Sequence, residues 1–142
     1  MPAAATLTAI PDAKSAVLAL HRAFGVQDKA AIADLFHPDA RWIVPPNNAS
    51  VIAMGHTAGW NGREEILDDL TESVAGRYFS ESQVEILTLI GEGENAMIEQ
   101  LYTGRVNGRP YKMVQVFIYH VEAGQIREVR AYFGKPRTIS MK

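Results

Sequence analysis

The 142-residue sequence predicts an α+β domain with helices packed on one face of a mixed, mostly antiparallel sheet. Three observations carry that expectation. Apolar residues recur at helical spacing in the N-terminal half. After Gly76 the pattern changes to strand-like runs. Short Gly- or Asn-containing turns separate those runs, and such turns join antiparallel neighbours.

Pro11 and Asp12 open the first helix, and Ala13, Val17, Leu20 and Phe24 form its apolar stripe. Asp28 caps a second helix, "KAAIADLF", which buries Ile32, Leu35 and Phe36 and stops at Pro38. "ARWIV" is a short strand, followed by a loop from Pro45 to Trp60. Loops of that length in compact domains are often functional. Asn61 caps a third helix with Glu64 placed as in a capping box, and Ile66, Leu67, Leu70 and Val74 make its buried face. The strands follow: "VEILTLI", "NAMIEQLYTGRV", "PYKMVQVFIYHV" and "QIREVRAYFG", joined through "GEGE", "NG" and "EAG".

A chain of this length forms one domain, 1–142, with residues 1–10 read as a flexible arm. The net charge of -2, with no basic stripe, argues against nucleic-acid binding. Cysteine is absent, which removes disulfides, thiolate metal sites and cysteine catalysis together. No apolar run is long enough to span a membrane, and the N-terminus lacks a basic signal region, so a cytoplasmic protein is expected. His21, His37, His56 and His120 are scattered without ligand spacing; no metal and no cofactor are expected. The glycine runs are turn glycines rather than a phosphate-cradling loop.

The strand "KMVQVFIYHV" is apolar on both faces: Val114, Val116 and Ile118 on one, Met113, Phe117 and Val121 on the other. Helices cover one face. A second copy of the chain is the simplest cover for the other, so a homodimer through the outer sheet face is expected.

Element order, with "LFHPDARW", "NGREEI", "NGRPY" and "IREVRAYFG", resembles the nuclear transport factor two-like superfamily, and within it the SnoaL-like proteins and steroid Δ-isomerases. The resemblance runs from about Lys14 to Phe133 and implies a cone: a strongly curved sheet wrapped around N-terminal helices, with an internal apolar pocket and commonly a dimer interface outside. It covers isomerases, cyclases, dehydratases, epoxide hydrolases and non-catalytic partners, so it names no reaction. The related isomerases use an aspartate base and hold the oxyanion with a tyrosine and a protonated aspartic acid. The matching positions here are Val44, Leu20 and Phe117, all apolar. The resemblance therefore implies the scaffold without that proton-transfer chemistry.

Which residues look inward depends on register. Asn107-Gly108 suits a two-residue type I′ turn, since both residues tolerate positive φ. Val106 then pairs with Arg109, Tyr102 with Met113, Gln100 with Gln115, Ile98 with Phe117, and Glu99 with Val116 on the opposite face. A bulge near Gly104 would invert the assignment. Phe117 matches a pocket position by resemblance, so Ile98, Gln100, Tyr102, Met113, Gln115 and Phe117 face inward. Glu99 faces outward, where Arg130 is a candidate partner across a dimer seam. The same alternation adds Trp42, Val44, Val129, Ala131 and Phe133 to the wall, with Trp60 and His56 at the mouth.

That wall is apolar and aromatic, with two facing amides and a phenol. Buried amides need partners, which can be each other and the backbone, or a carbonyl or hydroxyl of an apolar ligand. The functional expectation is a domain that binds, and in one version transforms, such a molecule. Tyr102 and His56 are then the candidate catalytic groups, with Gln100 and Gln115 orienting the ligand. The alternative is a non-catalytic dimeric ligand carrier or interaction module.

Overall fold

The structure is a computed structural model and describes residues 12–44, 59–68, 83–106, 109–133 and 137–138. The expected arm at 1–10, the loop carrying His56, the helix positions Leu70 and Val74, and the turn residues Asn107 and Gly108 lie outside them.

Helix α1 (Ala13–Gly25) begins where Asp12 accepts a hydrogen bond from Ser15 N–H at 2.9 Å, satisfying one of the free amides of the first turn. Its buried stripe is Ala13, Ala16, Val17, Leu20 and Ala23. Small residues there let the helix lie close against the sheet. A Cβ at Gly91 would meet Lys14 Cβ at 2.7 Å, and Ala13 N–H donates to Gly93 O at 3.0 Å. Helix α2 (Lys29–Leu35) is capped by Asp28, whose carboxylate accepts from Ala31 N–H at 3.1 Å.

α2 ends earlier than its sequence suggests. Phe36, expected as its last residue, is already extended (φ -103°, ψ 137°) and opens strand β1 (Phe36–Ile43). Pro38 disfavours helical geometry at His37, so the chain leaves the helix ahead of it. A second correction concerns Asn61. It ends strand β2 (Gly59–Asn61), paired with Arg41, and does not cap the third helix. Gly62 (φ 92°) separates that strand from α3 (Arg63–Asp68), and the first helical bond runs from Ile66 N–H to Gly62 O. Gly59 and Trp60, assigned to a loop, are thus strand residues. Gly59 has φ 137°, and a Cβ there would run into the carbonyl oxygen of Trp42.

Strands β3 (Gln83–Glu92), β4 (Asn95–Val106), β5 (Arg109–Glu122), β6 (Gln125–Phe133) and β7 (Arg137–Thr138) complete the described structure. They form one open, curved sheet of order β2-β1-β6-β5-β4-β3, with β7 also paired to β5. All neighbours are antiparallel except β1 and β6, which run parallel. The sheet is therefore mixed, as expected. Helix α1 lies across β3 to β6 on the concave side, and the core fills the space between them. No described helix is long and apolar enough to cross a membrane.

Candidate functional site

The ladder between β4 and β5 runs unbroken from Asn95↔His120 to Val106↔Arg109, with no bulge at Gly104. Tyr102 faces Met113, Gln100 faces Gln115, Ile98 faces Phe117, and Glu99 faces Val116. Because side chains alternate, this register assigns every residue of the two strands to a face. Burial agrees with it. Ile98, Gln100, Met113, Gln115 and Phe117 are buried, whereas Val114 is exposed and Glu99 half-buried.

Two polar side chains stand among the buried residues of that concave face: Gln100 at 6 % exposure and Gln115 at 9 %. Gln100 Nε2 donates to Gln115 Oε1 at 2.8 Å. Gln100 Oε1 is buried and has no hydrogen-bond partner. A buried acceptor left unmatched costs free energy on the order of 1–3 kcal/mol, which is why such atoms are uncommon. Tyr102 lies two residues further along the same face and is half-buried.

Around the other side of the amides stands a chain of rings. Trp42 meets Trp60 edge-on at 5.9 Å between centroids and Phe117 at 5.6 Å; Phe117 meets Phe133 at 6.1 Å. Edge-to-face packing of this kind matches the positive edge of one ring to the negative face of the next. The sheet fixes the rings: Trp42 pairs with Val129 and Trp60, Phe117 with Ala131, and Phe133 with Gln115. Val129, Ala131 and Val44 are buried beside them, and Phe133 is half-buried. Of the expected residues, Trp42, Val44, Trp60, Ile98, Phe117, Val129 and Ala131 join one buried cluster with Phe133 packed against it. Met113, Gln100 and Gln115 are buried on the same face of the two strands, and Tyr102 is half-buried there.

That surface carries no formal charge among its described strand residues: Ala96 to Tyr102 and Met113 to Val121 present only apolar, amide and phenol side chains inward. Val44, Leu20 and Phe117, the positions matched by resemblance to the isomerases' acids and phenol, all sit in the hydrophobic core. Sequence reasoning passed over Tyr119. It shares the parity of Phe117, is 2 % exposed, and its burial raises the phenol's pKa well above its ordinary value. Tyr119 is thus a neutral donor and not a base. His21 on α1 is held below its ordinary value by burial, so it stays neutral at pH 7.

The convex face differs. Glu99 accepts from Thr88 Oγ1 at 3.0 Å. At one end of the sheet His120 lies 3.1 Å from Asn95 Oδ1 and 3.3 Å from Glu122, and Arg127 Nη1 stands 2.7 Å from His37 Nδ1. An open groove of about 370 Å³ beside α3 is lined by Pro38, Asn61, Gly62 and Arg63 to Glu65, and shares no residue with the amide pair. Among the described residues no three metal-ligating side chains come together.

An open curved sheet packed against N-terminal helices is the arrangement of a nuclear transport factor two-like fold. The chain belongs to the SnoaL-like domain family, whose model matches residues 17–129. Solved structures agree. A nuclear transport factor two-like protein of unknown function from Burkholderia pseudomallei superposes with a TM-score of 0.72 at 19% identity, covering 84% of this chain and 88% of that one. TerC, co-crystallised with polyporic acid, gives 0.71 at 17% identity over 84% and 89%. An epoxide hydrolase of the LEH-like kind from M. tuberculosis gives 0.65 at 14% over 87% and 84%. At such identities the likeness is one of fold. Comparison with curated proteins finds no match.

Proposed function

We propose that this chain binds a small apolar or aromatic molecule carrying a hydroxyl or carbonyl, on the concave face between Trp42 and Phe133. The observation that carries the reading is the amide pair. Two glutamines are buried in an otherwise apolar, aromatic wall, and one of their oxygens lacks a partner. Apolar walls with a few convergent polar groups are the usual make-up of small-molecule sites. A structural neighbour co-crystallised with a small molecule supports the same reading.

In this reading Gln100 and Gln115 orient the polar group, while Trp42, Trp60, Phe117 and Phe133 enclose the body of the ligand. Catalysis would draw on Tyr102 as a donor and on His56 as the proton carrier, so any turnover would change between about pH 5 and 8. The steroid isomerase route is excluded from the proposal, since Val44, Leu20 and Phe117 offer no proton.

The test uses the protein's only two tryptophans, Trp42 and Trp60, which both stand at the site. Native mass spectrometry of the purified chain should show a bound small molecule, and its removal should shift tryptophan emission. If no small molecule, co-purified or added from an aromatic alcohol and ketone library, alters that emission, the reading fails.

A dimeric carrier is the second reading, favoured by one observation. Ile90, Val114 and Tyr132 expose apolar surface on the convex face. Sedimentation that shows a monomer at micromolar concentrations would remove it.

A further inference from the structure

We infer that Gln100 makes the site selective for ligands that donate a hydrogen bond: a neutral aromatic or alicyclic alcohol or phenol, in preference to a ketone or ether of the same shape. This rests on the binding reading above and narrows its substrate class.

The argument is one of hydrogen-bond accounting. A primary amide offers two N–H donors and one carbonyl acceptor. Between Gln100 and Gln115 one bond is formed, with Gln100 as donor. That leaves the Gln100 carbonyl oxygen buried and without a partner. A hydroxyl that reaches Gln100 Oε1 supplies the missing donor. A ligand carbonyl, itself an acceptor, meets a second acceptor at Gln100 Oε1.

A ligand carbonyl would take an N–H of Gln115 but leave Gln100 Oε1 unmatched. For Gln100 to present its NH₂ group in place of that oxygen, both amides would have to turn over. The turned-over pair would leave two N–H donors at Gln100 unmatched whenever the site was empty. Unmatched buried N–H groups are rarer in proteins than under-satisfied carbonyls, so the observed orientation is the favourable resting state. The surroundings also limit the donor's charge. No carboxylate faces inward from Ala96 to Tyr102 or from Met113 to Val121. A cationic donor such as an ammonium would be buried without a counter-charge, which is strongly unfavourable. Ring packing at Trp42, Phe117 and Phe133 favours a flat, apolar body beside the hydroxyl.

The experiment compares 2-naphthol, 2-methoxynaphthalene and 2-acetonaphthone by isothermal titration calorimetry. The first donates and accepts; the other two only accept. Wild-type protein should bind 2-naphthol roughly tenfold more tightly than either analogue, the worth of one neutral hydrogen bond in a buried site. Gln100→Leu should reduce the preference, read as the ratio of the affinities measured on that same variant, to within about twofold. Because Gln100→Leu strands the Gln115 amide, the double change Gln100→Leu/Gln115→Leu serves as the folded control; circular dichroism and a single thermal transition confirm it. It too should have lost the preference.

Equal affinity for all three probes overturns the donor inference and leaves the binding reading standing. A preference for 2-acetonaphthone, or a tenfold preference for 2-naphthol that survives in the double variant, also overturns it. If none of the three binds up to millimolar concentration, both the inference and the binding reading fall.

Discussion

The two faces of strands β4 and β5 are built from neighbouring residues and behave as different materials. On the concave side Ile98, Gln100, Met113, Gln115 and Phe117 are buried. On the convex side Val114 is exposed, and Glu99 shares a hydrogen bond with Thr88 at partial exposure. One step along the chain therefore separates an amide that cannot reach water from a carboxylate that can. The same step decides what chemistry is available. A convex glutamate is a solvated charge, whereas a concave glutamine is a neutral group whose unmet acceptor must be answered by the protein or by a guest.

The largest effect that tests this contrast comes from paired truncations. Phe117 touches rings on three sides and is 8 % exposed, so Phe117→Ala should cost about 3–5 kcal/mol, the usual range for a core phenylalanine. Ile118, next to it and facing outward, is half-buried. Ile118→Ala should cost on the order of 1 kcal/mol, because little of a cavity forms at a half-open site. Urea unfolding of both variants measures the difference, and equal costs would mean that the convex face is as enclosed as the concave one.

A smaller effect should appear with pH. Burial holds His21 below its ordinary value of 6.5, so the unfolded chain takes up a proton that the folded chain resists. The stability linked to His21 is complete above about pH 6.5 and is lost as the pH falls from there through the lowered folded value. Thermal midpoints between pH 7.5 and 5 should fall more steeply in wild type than in His21→Gln. Parallel slopes would place His21 in contact with solvent.

The smallest effect is expected at Glu99→Gln. It keeps an acceptor for Thr88 and removes a charge that water already screens, so stability should change by less than about 0.5 kcal/mol. A larger loss in the isolated chain would show that the convex carboxylate has a partner beyond Thr88.

Much of the site was legible because a single local feature fixed it. Asn107-Gly108 suggested the register, the register implied parity, and the observed ladder has Gln100 opposite Gln115 as that count expects. The apolar character of Val44, Leu20 and Phe117 was equally readable, and it removed one chemistry. Less legible were features fixed by partners distant in sequence. Pro38 marks the helix end locally, but that Phe36 already begins a strand follows from its pairing with Ile126. Gly59 and Trp60 read as loop, and Asn61 as a helix cap, because three residues carry no period; their strand geometry comes from lying against β1. The direction of the amide bond, and hence the orphaned oxygen at Gln100, could come only from coordinates.

The parallel seam between β1 and β6 has a kinetic consequence. Strands β3 to β6 follow one another in antiparallel order, each two residues after the last, and such hairpins can zip locally. The seam joins Trp42 to Val129, from opposite ends of the chain, and must close a long loop first. Strands β1 and β2 should therefore dock late, carrying Trp42 and Trp60 with them. In stopped-flow refolding, tryptophan emission should reach its native value after far-ultraviolet circular dichroism, and simultaneous recovery would contradict this order. The aromatic wall, on that view, is the last part of the molecule to be finished.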